Sequence, residues 1–246
     1  MKTIIGITAL FLLIACTPTV KNSLSQTSTG NQVDSQNYTN MDKRHNQLLR
    51  EGQKLLAKGK REIAIVNYFN PIIKDYERIY AYINKRLYSA RTQEEYEFYK
   101  SSAKSENRLA LVLSETWSLA YYLKAYALLE LKELKLAKKS MQKALALAPS
   151  NSKYLSEMGH IYHLDKNMNS ALKSYLLAEK SASFFSPKSL KKSELLRAKR
   201  GIGFSYTELN QLNRAENIYR EVLAIDSSDK IAKRELKYIQ ELKKKN

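Results

Sequence analysis

Cysteine, proline and glycine are all scarce in this chain. Its 246 residues contain one cysteine, four prolines and seven glycines, and neither proline nor glycine occurs between Pro71 and Pro149. A single cysteine excludes an internal disulfide framework. The backbone meets none of the usual helix breakers over the long central stretch. Valine and threonine are also sparse beside leucine, alanine, lysine, glutamate and tyrosine, so the composition predicts an all-α protein.

Motifs that carry catalysis are missing as well. The chain has no Gly-rich phosphate loop, no nucleophile elbow and no metalloprotease helix motif, so we predict neither an enzyme nor a cofactor. His160 and His163 lie three residues apart on a predicted helix, and Glu157 precedes His160 by three residues. Because no third strong ligand is close in sequence, we expect a polar wall that titrates near pH 6 rather than a metal site.

Acidic residues are few beside basic ones. Lysine and arginine number 42 against 24 acidic residues, a net charge of +18, so the surface should attract anions. A predicted basic patch consists of Lys188, Lys191, Lys192 and Lys199. Nucleic-acid binding would rest on charge alone and is not expected, nor is a small-molecule ligand. Anionic lipid, cell-wall polymer, an acidic partner and a merely solvated face remain open.

The N-terminus has the features of an export signal. Lys2 precedes an apolar run at residues 4–15, which is too short to span a bilayer as a helix. Residues 13–16, Leu-Ile-Ala-Cys, resemble the lipobox of bacterial lipoproteins. This resemblance implies cleavage before Cys16, lipid on its sulfur and a place in the cell envelope. Thr17 stands where the inner-membrane retention signal usually has Asp, which favours an outer membrane facing the periplasm in a Gram-negative source, or the outer face of the single membrane in a Gram-positive one. An ordinary secretory signal with an incidental cysteine is the alternative.

Composition divides the remaining chain in two. Residues 16–41 are dominated by Ser, Thr, Asn and Gln and show no apolar periodicity. Such a segment cannot bury enough apolar surface to offset its ordering entropy, so we predict a disordered, lipid-anchored tether. Charge and apolar periodicity return near Asp42, and the folded domain is therefore predicted at residues 42–246.

A pattern of small and aromatic residues recurs between Ser118 and Ser227. Three sets share the same internal offsets: Ala125, Leu128, Ala137, Met141 and Ala144; Gly159, Tyr162, Ala171, Tyr175 and Ala178; Gly203, Tyr206, Ala215, Tyr219 and Val222. A period between twenty and fifty residues is typical of stacked repeats. The spacing resembles the tetratricopeptide repeat family, in which each unit is a pair of antiparallel helices with small residues where they cross.

This resemblance implies a right-handed superhelical α-solenoid of helical hairpins. Clear repeats are predicted at 118–151, 152–185 and 196–229, with a capping helix at 230–245 over the open end. A first repeat is predicted at about 45–71, followed by a helical insertion at about 72–117, either a degenerate repeat or a long helical hairpin; its helical pattern continues from Ile72 to Tyr88. Pro71 should interrupt or kink the first repeat's second helix, and the pair Thr92 and Glu95 predicts a helix start by a capping box.

In the family, fixed positions on the first helix of each unit line a concave groove that touches a peptide. Carried onto this chain, they are Leu119, Tyr122, Tyr126 and Leu129; Lys153, Ser156, His160 and His163; and Arg197, Arg200, Phe204 and Thr207. The groove would run from a tyrosine-lined end to a basic end whose arginines pair with a partner's carboxylate. The asparagine-and-lysine set of chaperone-binding members is absent, and several of these aromatics could instead be core.

Together these features predict a membrane-anchored, noncatalytic scaffold. Its groove would bind a protein or peptide partner during envelope assembly, secretion or pilus biogenesis, where tetratricopeptide lipoproteins look similar in plan. The alternative is a basic surface that binds anionic lipid or cell-wall polymer.

Overall fold

The computed structural model describes residues 32–245. The predicted signal peptide at 1–15, Cys16 and the tether up to residue 31 lie outside these residues. Helix α1 spans Gln32–Ala57, so the last ten residues of the predicted tether, 32–41, are helical. No proline or glycine separates them from the amphipathic part of α1, which lets the helix continue. No helix within residues 32–245 is long and apolar enough to cross a membrane.

The first hairpin is longer than the sequence predicts. After α1, the chain forms α2 (Arg61–Ala64), a π-helical turn (Ile65–Phe69) and α3 (Asn70–Ile79) without a break. Pro71 lacks the N–H that would continue the α-helical ladder, and in the π turn the Asn70 N–H donates to the Ile65 carbonyl instead. The helix therefore continues past Pro71, in line with the helical pattern predicted from residue 72 onward, because the π turn absorbs the proline.

Three further hairpins and a final helix follow. They are α5 (Thr116–Glu130) with α6 (Leu134–Leu147), α7 (Ser152–Leu164) with α8 (Met168–Phe185), α9 (Lys191–Glu208) with α10 (Leu212–Ile225), and α11 (Lys230–Lys245). Within each pair the helices pack together, and successive pairs stack. This arrangement confirms the predicted all-α solenoid.

The same turn joins the two helices of every hairpin. Gly59, Lys132, Lys166 and Asn210 all have positive φ at the C-terminal end of the first helix. In each turn the next N–H donates to the carbonyl five residues earlier, as in Glu133 to Leu128 at 2.9 Å. The shared turn shows that the first hairpin follows the geometry of the later ones.

Glycines let the paired helices approach closely. A Cβ added at Gly159 would lie under 3.0 Å from the Tyr175 ring, and one added at Gly203 would lie as close to Tyr219. The Tyr175 ring also touches Gly201 of the next hairpin, so it occupies space left by two glycines. The recurring glycine and tyrosine thus form one packing device, in which the ring fills the gap that the missing side chain leaves.

The predicted insertion at 72–117 is not entirely helical, which corrects the expectation. It contains β1 (Arg86–Ala90), α4 (Gln93–Ser105) and β2 (Ala110–Ser114), and the two short strands pair in parallel. Tyr88 stacks on Tyr99 with ring centroids 4.7 Å apart, which gives this βαβ unit a small core of its own.

The predicted capping interaction in the insertion is present. The Thr92 hydroxyl accepts the Glu95 N–H at 3.1 Å, so α4 begins as the capping-box pattern predicts. The Tyr99 hydroxyl accepts the Ser150 N–H at 3.1 Å, and the Thr92 hydroxyl donates to the Phe185 carbonyl at 3.3 Å. These bonds fix the βαβ unit against the ends of α6 and α8.

Helix α11 covers the last hairpin. Ala232 and Ile239 are buried against Tyr219 and Val222 of α10, while lysines occupy much of the opposite face of α11. The apolar end of the solenoid is thereby removed from water.

Candidate functional site

The twelve predicted groove positions lie on α5, α7 and α9, the first helices of the three later hairpins; we call them the inner surface. Tyr122, Ser156 and Thr207 are buried there. Partly exposed positions are Leu119, Tyr126, Leu129, Lys153, His160, His163, Arg197, Arg200 and Phe204. Most of the inner surface is therefore within reach of a partner.

Tyr122 is part of the core rather than a contact surface, which corrects its predicted role. Its side chain is 5% exposed and stacks on Tyr154, with ring centroids 4.9 Å apart. The Lys153 ammonium lies 4.5 Å from the centroid of the Tyr122 ring, a cation–π contact. Burial raises the pKa of the Tyr122 hydroxyl well above its ordinary value. Tyr122 thus supports Lys153 instead of meeting a ligand directly.

The arginines of the predicted basic end already have partners within the chain. Arg197 donates to the Glu157 carboxylate. Arg200 Nη1 lies 2.6 Å from Asp229 Oδ2. Their predicted availability for a partner's carboxylate is therefore wrong, because carboxylates from α7 and from the turn before α11 reach them first.

One of the four lysines of the predicted basic patch is also paired with carboxylates inside the chain. Lys199 is buried and pairs with both Glu179 of α8 and Glu221 of α10. The other three lysines, Lys188, Lys191 and Lys192, are exposed and form no ion pair with any described residue. The patch is thus confined to the loop before α9 and its first turn.

Lys153 differs from these paired cations. Its ammonium group forms no ion pair or hydrogen bond within the described part of the chain, although the side chain is mostly buried. Burial lowers the pKa of Lys153, and the nearby Arg197 charge lowers it further. One turn further along α7, the buried Ser156 hydroxyl also has no hydrogen-bond partner among the described residues. The Glu115 and Glu194 carboxylates act in the opposite direction on the Lys153 pKa, so the centre of the inner surface carries a cation with carboxylates nearby but no direct ion-pair partner among the described residues.

Aromatic rings flank this centre. The His163 ring lies against Phe204 with centroids 4.4 Å apart, and the centroids of His160 and His163 are 6.0 Å apart. The Tyr126 hydroxyl donates to Glu130 at 3.3 Å. Within residues 32–245, no cluster of three or more His, Cys, Asp or Glu side chains could hold a metal ion. The histidines therefore form part of a polar and aromatic wall.

The two histidines should make stability depend on pH. Burial lowers the pKa of His160 and of His163, and the Arg197 charge adds to the effect at His160. In the unfolded chain both would titrate near their ordinary value of about 6.5. Between the native and the ordinary pKa the unfolded state binds more protons, so the free energy of unfolding falls as pH falls through that window.

We expect urea unfolding between pH 7.5 and 5.5 to show this loss of stability, with a slope of at most about 1.4 kcal/mol per pH unit for each histidine. A variant carrying His160→Gln and His163→Gln should have a flatter profile. Identical profiles for the two proteins would contradict the assignment.

A buried ion cluster lies where the insertion meets α9, and the sequence patterns did not reveal it. Arg91 is 7% exposed, and its Nη1 lies 2.8 Å from Glu194 Oε1 while its Nη2 lies 3.3 Å from Glu95 Oε1. The Glu95 carboxylate is fully buried and also accepts the Arg91 N–H at 2.6 Å. Ser186 donates to Glu194. Only the capping role of Glu95 was visible in the sequence, since Glu194 lies 103 positions from Arg91.

Comparison with known proteins agrees with this architecture. The family model for the tetratricopeptide repeat matches residues 119–151 and 201–229. No curated protein matches the chain.

Two solved structures are similar to the chain at 15% sequence identity. For pilF of Pseudomonas aeruginosa the TM-score is 0.57, with 84% of this chain and 72% of that chain covered. For a double mutant of MamA RS-1 the TM-score is 0.53, with 81% and 84% covered. At this identity the likeness concerns the fold alone. Residues 119–151 and 201–229 thus match the tetratricopeptide repeat, within an all-α solenoid.

Proposed function

We propose that the chain is a noncatalytic scaffold that holds a peptide segment of a partner protein on the inner surface. The observation that carries this proposal is Lys153, a largely buried cation whose ammonium group forms no direct ion pair with any described residue. A partner carboxylate, from an acidic side chain or a C-terminus, is the group that would complete the site.

Burial makes this interaction favourable. The Lys153 ammonium has already lost much of its hydration, and a ring face compensates only part of that loss. A charge-assisted hydrogen bond to a carboxylate contributes about 1.5–3 kcal/mol. Arg197 raises the local positive potential even though its own charge is paired with Glu157.

The surrounding rings suit apolar side chains of the same peptide. Tyr126, His163 and Phe204 are each partly exposed on successive first helices. Aromatic faces bury apolar groups at a small cost in conformational entropy. We therefore expect the bound peptide to place apolar residues on either side of the acidic group.

The N-terminal lipobox supports a location for this scaffold. We infer that lipid on Cys16 tethers the domain to the cell envelope, with the outer membrane favoured by Thr17. Partners would then belong to envelope assembly, secretion or pilus biogenesis. Cys16→Ser should release the protein from membranes on fractionation, and a protein that stays with the membrane would count against the anchor.

Photo-crosslinking in native membranes tests the inner surface. A benzoylphenylalanine in place of Phe204 should crosslink the partner, whereas one in place of Leu136, exposed on α6, should not. Adding Lys153→Gln to the Phe204 probe should lower the crosslinked yield about tenfold, because a charge-assisted bond is lost. Lys188→Gln is the matched control, since it removes an exposed lysine from the basic patch.

The outcomes separate this proposal from its alternative. Equal yields with and without Lys153→Gln would overturn the role of Lys153. A loss confined to Lys188→Gln would instead favour binding through the basic patch of Lys188, Lys191 and Lys192, whose charges are exposed and unpaired within the described chain.

A further inference from the structure

A second concave site lies between α3, α5, α6 and the start of β1. It is a cleft of about 410 Å³, and none of the inner-surface residues line it. This volume is within the range of about 300–1,000 Å³ that is typical of small-ligand sites. The cleft is therefore large enough to bind a ligand independently of the peptide partner.

Three cations line this cleft. They are Lys85, Arg86 and Lys143, and they come from two separate parts of the chain, the start of β1 and helix α6. All three are exposed, and none forms an ion pair with a described residue. The Arg86 guanidinium is held only over the ring of Tyr88, 5.7 Å from its centroid. The fold thus brings three uncompensated positive charges to one concavity.

The only acidic residue lining the cleft is already engaged. Glu77 accepts a hydrogen bond from the Tyr121 hydroxyl, which satisfies part of the carboxylate. The buried Trp117 lines the same cleft, and its indole N–H has no acceptor among the described residues. The side chains that line the cleft therefore have a net charge of +2.

We propose that this cleft binds a phosphate monoester group. Near neutral pH such a group carries a charge of about −1.5 to −2, which matches the net charge of the cleft, whereas a carboxylate or a sulfate ester carries only −1. A guanidinium and two ammonium groups are the donors that phosphate oxygens prefer in proteins. The ligand can be a free phosphate ester or the headgroup of a lipid, since both present the same chemistry.

The chain contains its own reporter of binding. Trp117 is the single tryptophan, so its fluorescence comes from this cleft alone. Titration of the full chain with glycerol 3-phosphate should change this fluorescence in a saturable way. Sodium methyl sulfate, a monoanionic sulfate ester, should have a much smaller effect at equal ionic strength, because the proposal depends on the second negative charge of a phosphate monoester rather than on ionic screening.

Paired variants test which charges are used. Arg86→Gln and Lys143→Gln should each weaken binding of glycerol 3-phosphate by about tenfold, since each removes a charge-assisted hydrogen bond. Lys173→Gln, on the exposed face of α8, is the matched control and should bind as the unaltered chain does. Far-ultraviolet circular dichroism verifies that each variant is folded.

Vesicles distinguish the two sources of the ligand. Phosphatidylcholine vesicles with and without phosphatidic acid are titrated in parallel with glycerol 3-phosphate. A response to phosphatidic acid alone assigns the lipid headgroup, and a response to the free ester alone assigns a soluble ligand; either supports the proposal. An equal response to methyl sulfate, unchanged affinity in both cleft variants, or no fluorescence change together with no ³¹P line broadening would overturn it.

Discussion

Replacing Arg91 with alanine is expected to lower the free energy of unfolding by about 3–5 kcal/mol, because it leaves two buried carboxylates without their cation. Glu95 is fully buried and Glu194 is 7% exposed, and Arg91 lies between them. Burial raises the pKa of Glu95, so its charged form depends on the Arg91 charge. Losing the arginine also removes the contact that links the βαβ unit to α9.

Urea unfolding of the full chain measures this effect. Arg220→Ala is the matched control: Arg220 also pairs with a glutamate, but it is exposed, so the loss should be below about 1 kcal/mol. Combining Arg91→Met with Glu95→Gln and Glu194→Gln should recover much of the stability, since no buried charge is then unpaired. Equal losses for Arg91→Ala and Arg220→Ala would show that the cluster is not effectively buried.

The repeats were predictable because one physical requirement recurs along the chain. Where two helices cross closely, a small residue must face a large ring, and this pairing leaves a spacing such as Gly159 with Tyr175 or Gly203 with Tyr219. The turns between the paired helices were less visible. Lys132 and Lys166 adopt positive φ, although glycine is the residue that usually marks such a turn in a sequence. The packing of the two helices imposes the turn on these lysines.

The insertion could not be predicted with the same tools. Its strands, β1 and β2, have five residues each and are separated by α4, so they leave no long alternating pattern. Their pairing depends on a core of Tyr88, Tyr99 and Ala103 that forms only after the chain folds back. The proline in the first hairpin was predicted to interrupt or kink the helix, but the sequence could not show how: a π turn bypasses the missing N–H without ending the helix.

The candidate site shows what periodicity leaves out. The repeat spacing assigned the groove positions to the first helices of the three later hairpins, where the structure has them. It could not predict which of their cations form ion pairs with carboxylates elsewhere in the chain. Arg197 forms an ion pair with Glu157, which is 40 residues away in the sequence, while Lys153 forms a cation–π contact with the Tyr122 ring. Both outcomes follow from how neighbouring hairpins stack, and a single repeat does not contain that information. Lys85, Arg86 and Lys143, which line the second cleft, are likewise brought together only by the fold.

The contact between Tyr175 and Gly201 joins two successive hairpins, and we expect Gly201→Ala to destabilise the protein by about 1–3 kcal/mol. An added Cβ would lie under 3.0 Å from three atoms of the Tyr175 ring. A rigid ring between two helices has little room to move, so the helices themselves must separate. The clash outweighs the gain of about 1 kcal/mol that alanine usually gives over glycine within a helix.

A double-mutant cycle isolates this clash. Tyr175→Ala alone should cost about 3–5 kcal/mol, since it opens a cavity between α7, α8 and α9. In that background Gly201→Ala should become stabilising, because the ring is gone and only the helix preference remains. Asn217→Ala is the control: Asn217 is exposed on α10, so this substitution changes helix propensity without creating a steric clash. If Gly201→Ala costs the same with and without Tyr175, the two hairpins are not held together by this ring, and the stacking of the repeats that positions Lys153 must depend on other contacts.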